Sequence, residues 1–110
     1  MKGSVLYWAM LSACLLLFSA LAHADDYQIT LKNHQFAPNE LIVPAGRRIK
    51  LTVKNLDPTP AEFESSDLDR EKVVTGNSEI SVFIGPLDPG RYAYFDDFHR
   101  NTTKGAIVAK

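Results

Sequence analysis

The sequence predicts an all-β fold, an antiparallel sandwich or barrel of seven or eight short strands. Three observations carry that expectation. Apolar and polar residues alternate with period two in three separate stretches, Tyr27 to Lys32, Arg47 to Asn55 and Glu79 to Ile84. Turn-forming Pro, Gly, Asn and Asp recur at close spacing between these stretches. Past residue 24, no stretch offers a convincing amphipathic helix.

The first 24 residues read as an export signal. Lys2 supplies a short basic start, Val5 to Leu21 is almost unbroken apolar sequence, and Ala22-His23-Ala24 forms a small-x-small cleavage site. Leu11-Ser12-Ala13-Cys14 resembles a lipoprotein box. The apolar tail from Leu15 to Leu21 counts against it, and cleavage after Ala24 discards Cys14.

The expected organisation is therefore a cleaved signal over residues 1–24 and one domain over residues 25–110, exported to the periplasm and not inserted in the membrane once the signal is removed. That domain contains no cysteine, so it has neither a disulfide nor a thiolate ligand. Beyond residue 24 all 13 acids and 11 of the 12 Lys/Arg remain, for a formal charge of −2. So mild an imbalance argues against nucleic acid or an anionic membrane surface as partner. A monomer is expected.

Tyr27, Ile29 and Leu31 share the inward face of the first strand. Asn33-His34-Gln35 breaks it, Phe36-Ala37-Pro38-Asn39 turns into Leu41-Ile42-Val43, and Pro44-Ala45-Gly46 turns again. The next strand turns Ile49, Leu51 and Val53 inward and ends at Asn55. Pro58 and Pro60 lack N–H donors, so Leu56 to Pro60 is a loop across one end of the sheet.

Ala61-Glu62-Phe63-Glu64-Ser65 is a short strand, with both glutamates opposite Phe63. Ser66 to Lys72 is a charged segment, a loop or one helical turn capped by Ser66, and Val73-Val74 returns to apolar sequence. Ile80, Val82 and Ile84 align on the following strand. Asp88-Pro89-Gly90-Arg91 suits a type II turn, Tyr92 to Phe95 is the next strand, and Ala106 to Ala109 is the last.

The chemistry concentrates between Phe95 and Gly105. Asp96-Asp97-Phe98-His99 places two carboxylates and an imidazole at the end of an aromatic strand. Carboxylate oxygen and imidazole nitrogen together suit iron, manganese, zinc or copper(II). No nucleophile–base pair, phosphate-binding Gly loop, CxxC or HExxH motif is present. Hydrolase and nucleotide-binding classes have no support.

Three segments taken together resemble the cupredoxin fold: Phe36-Ala37-Pro38 leading to Leu41-Ile42-Val43-Pro44-Ala45-Gly46, Val53-Lys54-Asn55 before the first loop, and Leu87-x-Pro89-Gly90-x-Tyr92 before the last. That resemblance implies a Greek-key β-sandwich with a metal site built from the loop after the Asn strand and the final loop. Phe98-His99 keeps the family's loop His. Asp96 or Phe95 stands where the family has Cys, Thr103 or Lys104 stands near its Met, and Ala61-Glu62 replaces the first-loop His. A blue-copper centre, which needs His, His and thiolate in a trigonal set, is excluded.

Ala61-Glu62-Phe63-Glu64 paired with Phe95-Asp96-Asp97-Phe98-His99 resembles the small periplasmic cupredoxin-like (EfeO-type) proteins of bacterial ferrous iron uptake. What the likeness implies is a protein that binds or relays metal or electrons, with iron or copper as its ion. Its implied partners are an inner-membrane iron permease and a periplasmic iron-binding protein. The expected ligands are Asp96, His99 and one or both of Glu62 and Glu64, with Asp97 as a fifth ligand or hydrogen-bond acceptor behind them.

A ferroxidase using this site and a metal-free interaction module are the alternatives, with binding and relay ranked above catalysis. His34 is expected to be a surface residue without a ligand role. Asp67, Asp69 and Glu71 are expected to form a solvated charged segment.

Overall fold

The computed structural model describes residues 23–110. Residues 1–22, which carry most of the expected export signal and Cys14, lie outside the described residues. Nine strands follow in order: β1 (Asp25–Lys32), β2 (Gln35–Ala37), β3 (Glu40–Val43), β4 (Ile49–Asn55), β5 (Ala61–Ser65), β6 (Arg70–Val74), β7 (Ser78–Ile84), β8 (Gly90–Asp96) and β9 (Lys104–Ala109). A short 3-10 helix, Asp97–His99, joins β8 to β9.

The strands form two facing sheets, ordered β2-β1-β4-β7 and β3-β9-β8-β5-β6. The all-β sandwich is as the alternation predicts, because each period-two strand buries one face. Ile29 and Leu31 of β1, Ile49, Leu51 and Val53 of β4, Val82 and Ile84 of β7, Phe63 of β5, Tyr94 of β8 and Ile107 of β9 make the core between the sheets. Burying side chains of this size removes about 1.5–3 kcal/mol each of unfavourable hydration, the main favourable term in a domain without disulfides.

Three details differ from the sequence reading. The sheets are mixed: β1 pairs parallel with β4, and β3 pairs parallel with β9. Gln35–Ala37, expected as a break and a turn, pairs with β1 as a short edge strand across a two-residue turn at Asn33-His34. The charged run after Ser66 is neither loop nor helical turn throughout. Arg70, Glu71 and Lys72 continue into Val73-Val74 as edge strand β6, which pairs with β5 so that Glu64 faces Glu71. An exposed edge tolerates such charge and is protected by it from pairing with other chains.

The pairing of β5 with β8, which sets the geometry below, rests largely on side chains. Only Phe63–Asp96 and Glu64–Phe95 are backbone partners. Beyond one end of this short ladder, the Asp96 carboxylate accepts from the Glu62 N–H at 2.9 Å. Beyond the other, the Ala93 carbonyl accepts from the Ser65 hydroxyl and the Ala93 N–H donates to Asp67. Asp67 thus has a structural role that its charged neighbourhood conceals in the sequence.

Candidate metal centre

The strand end at Asp96 sends the two consecutive aspartates to different places. Asp96 continues the inward parity of Tyr94 and is 1% exposed. Its carboxylate accepts from the N–H of Glu62 (2.9 Å) and of Phe98 (3.1 Å), and pairs with His99 Nδ1 at 2.9 Å. It therefore caps the 3-10 helix and fastens it to β5.

Asp97 lies on the outer side of the same sheet. Its carboxylate reaches the outward-facing Glu62 and Glu64, and ligand atoms of the three acids all lie within 4.8 Å of one another. Among the described residues this is the one group of three or more His, Cys, Asp or Glu side chains packed so closely.

The five expected ligands are thus divided. Glu62, Glu64 and Asp97 come together on the outer face, half-buried. Asp96 and His99 form a separate pair at the end of the sandwich. The expectation of one site uniting all five is corrected by the pleat: Asp96 and Asp97 cannot both face Glu62 and Glu64, and the oxygens of Asp96 are already bonded to protein.

Crowding of like charge sets the electrostatics of the outer cluster. A side-chain hydrogen bond with Glu71 pushes the Glu62 carboxyl up to about 7, helped by partial burial and by the charges of Glu71, Asp97 and Glu64. Partial burial, followed by the charge of Asp97, also raises Glu64. Arg100 acts in the opposite direction, and its hydrogen bond to Asp97 holds that carboxyl below the ordinary value. The guanidinium lies 2.7 Å from Asp97 and 3.8 Å from Glu64, stacked over the Phe95 ring at 4.5 Å.

Glu71 and Arg100 also border this cluster, and the sequence pattern alone singles out neither. A hairpin drawn around the Ser66–Asp69 turn would have placed Glu71 opposite Glu64.

The loop between β4 and β5 carries a second carboxylate with a defined task. Asn55, fully buried, donates to carbonyls of Thr59, Val74 and Thr75, and its side-chain oxygen accepts from the Asp57 N–H. Asp57 in turn accepts from the N–H groups of Asn33 (2.7 Å) and His34 (2.9 Å). Burial opposes its charge, but these donors and the nearby His34 and His99 outweigh burial and hold its carboxyl below the usual value.

The frame of buried strands, loop-borne polar groups and a His in the final loop matches a known family. The cupredoxin-like domain matches residues 4–109 of the chain. The chain belongs to the cupredoxin-like domain family. A Rickettsia prowazekii (strain Madrid E) protein, RP394, is 45% identical over 83 residues, which is 76% of this chain and 66% of the relative. The chain thus spans slightly less than two thirds of that relative's length.

Among solved structures, auracyanin A, a "blue" copper protein of Chloroflexus aurantiacus, superposes with a TM-score of 0.70 at 16% identity, covering 80% of this chain and all of that one. The purple cupredoxin of Nitrosopumilus maritimus gives 0.61 at 20% identity, over 77% and 100% of the two chains. The metal-binding domain of the Streptococcus pneumoniae D39 Cu(I)-exporting ATPase CopA, with Cu(I), gives 0.65 at 15% identity, over 77% and 84%. Likeness at this level establishes the shared fold.

This cupredoxin departs from blue-copper chemistry in its donors. The described residues contain no cysteine. At the end of β8 the buried Asp96 accepts from two N–H groups and pairs with an imidazole, so both its oxygens are engaged by protein. The residues present do not fit a trigonal His, His and thiolate centre. They offer a hard oxygen cluster on the outer face instead.

Proposed function

We propose that this cupredoxin-like domain binds an iron ion through Glu62, Glu64 and Asp97 and relays it during ferrous iron uptake outside the cytoplasmic membrane. The observation that carries the reading is the convergence of three carboxylates whose ligand atoms lie within 4.8 Å of one another. A carboxyl held up to about 7 beside other acids is a place where a bound cation relieves repulsion as well as forming bonds.

Oxygen-only ligation is hard and favours iron(III) over iron(II), so it eases oxidation of a bound ion thermodynamically. Arg100 already neutralises part of the cluster and must swing aside for an ion to enter. Asp96 positions β5 and the 3-10 helix and is not a ligand in this reading. Export to the periplasm and delivery to an iron permease belong to the same proposal, resting on the sequence likeness to iron-uptake cupredoxins.

A metal-free interaction module is the competing reading, favoured by the Arg100 ion pairs that the cluster makes without any cation. Manganese(II), a paramagnetic oxygen-seeking ion, separates the two. It should broaden the amide signals of Glu62, Glu64 and Asp97 before any others. Broadening spread evenly over surface acids would favour the interaction module. Iron(II)-dependent oxygen uptake, lost in Glu64→Gln, would instead make the protein a ferroxidase.

A further inference from the structure

Two edge strands of different sheets run along one flank of the sandwich, β6 of the five-stranded sheet and β7 of the four-stranded one. Side chains, not a backbone ladder, bridge them. Arg70 and Lys72 share the inward parity of their β5 partners Ser65 and Phe63, and at an edge that parity lets them reach the other sheet. Arg70 Nε donates to the Phe83 carbonyl at 2.8 Å, and Lys72 Nζ reaches the Ser81 carbonyl at 3.5 Å.

These bonds position cations without neutralising them. Arg70 also donates to the carbonyls of Asp69 (2.8 Å) and Leu68 (3.5 Å), so every acceptor it meets is uncharged. Arg47, Arg91 and Arg100, by contrast, each pair with a carboxylate. Among the described residues, no carboxylate pairs with Arg48, Lys50, Arg70 or Lys72, and Asp26 lies opposite Lys50 on β1 without an ion pair.

Phe83 sits among these four cations on the outer face of β7, 44% exposed. The Arg48 guanidinium lies over its ring at 4.4 Å, and Lys50 is its register partner on β4. Stacking on the ring holds the guanidinium in place and leaves its charge to solvent. An exposed aromatic flanked by arginines has the composition of an interface centre.

The sign of the flank selects the partner. Beyond residue 24 the chain carries a formal charge of −2 in spite of this basic flank, so its other surfaces are acidic. A broad anionic plane would attract the flank and repel the remainder, whereas a narrow acidic segment meets the flank alone. Arg70 and Lys72 already occupy edge carbonyls of β7, so side chains rather than an added strand supply the contacts.

We propose that Phe83, with Arg48, Lys50, Arg70 and Lys72 around it, is a docking surface for an acidic segment of a partner protein, in which Asp and Glu flank one apolar residue that packs on Phe83. The surface does not depend on the outer carboxylate cluster or its ion.

The test is NMR titration of the isotopically labelled protein with two synthetic peptides of equal charge, Glu-Asp-Leu-Asp-Glu and Glu-Asp-Ser-Asp-Glu. Salt is held at about 0.1 M, where charges beyond about 10 Å are screened. Amide signals of the five residues are expected to shift first. The Leu peptide should bind about threefold or more tighter than the Ser peptide, a preference lost in Phe83→Ser. Phe83 lies on the outer face, so that substitution leaves the buried Val82 and Ile84 in place. Arg48→Glu with Lys72→Glu should weaken the Leu peptide about tenfold or more. Lys32→Glu with Lys104→Glu, the same change in net charge elsewhere, should weaken it about twofold or less.

Equal weakening by both double variants, or a Leu preference that survives Phe83→Ser, would overturn the proposal. So would no shift at millimolar peptide. Shifts at this flank that follow protein concentration alone would overturn it in favour of a second copy of the chain. Co-sedimentation with phosphatidylglycerol vesicles, lost in the Arg48→Glu, Lys72→Glu variant, would overturn it in favour of a membrane surface.

Discussion

Asp96 and Asp97 are joined by one peptide bond and serve opposite sides of the five-stranded sheet. Asp96 points inward, 1% exposed, and accepts from the Glu62 and Phe98 N–H groups while holding His99. Asp97 points outward to Glu62, Glu64 and Arg100. The inward acid builds the scaffold, and the outward acid joins the cluster to which the proposed function assigns a bound ion.

Substituting Asp96 should accordingly destabilise the metal-free protein. Asp96→Ala leaves the Glu62 N–H without its acceptor and uncaps the 3-10 helix, a loss of about 2–4 kcal/mol. Urea denaturation in the presence of a chelator measures it. Stability equal to wild type would show that Asp96 does not hold the loop.

Removing Arg100 acts on the other side. Arg100→Gln frees Asp97 and Glu64 from the guanidinium, and cation affinity at the cluster should rise about two- to fivefold, less at high salt. Manganese(II) titrations at low and high ionic strength test this. A fall in affinity would mean that Arg100 supports the bound form.

The Glu62 carboxyl gives a pH signature. Its folded value, about 7, lies above the ordinary 4.5, so between these values the folded state holds a proton that the unfolded state has lost. Glu62 therefore contributes a loss of stability as pH rises from about 4.5 through 7. Glu62→Gln cannot ionise, so its stability relative to wild type should grow from pH 5 to pH 8. Parallel denaturation curves with a constant difference would contradict the assignment.

Gly105 tests the packing that carries the final loop into β9. A Cβ there would overlap the buried Tyr94 ring, whose hydroxyl is driven well above its usual ionisation range by burial. Gly105→Ala should cost about 1–3 kcal/mol, read as a lower urea midpoint with an unchanged slope.

The sandwich was legible because β1, β4 and β7 announce their buried faces by alternation, through Tyr27, Ile29 and Leu31, then Ile49, Leu51 and Val53, then Ile80, Val82 and Ile84. Their parallel partners were not, since pairing direction depends on crossovers that local pattern does not encode. The outward parity of Glu62 and Glu64 could be read from Phe63 between them. The bend that takes Asp97 towards them could not, because it depends on Asp96 capping a 3-10 helix. His34 looked like a lone surface residue. Its neighbour His99 is distant in sequence, and Thr103, which donates to the carbonyls of both residues, ties the two turns together.

Anaerobic calorimetric titration with iron(II), comparing wild type with a Glu62→Gln, Glu64→Gln and Asp97→Asn triple variant, tests the central claim most directly. The account predicts one ion per wild-type chain and none retained by the folded triple variant. Equal binding by both proteins, or none by the wild type, would contradict it.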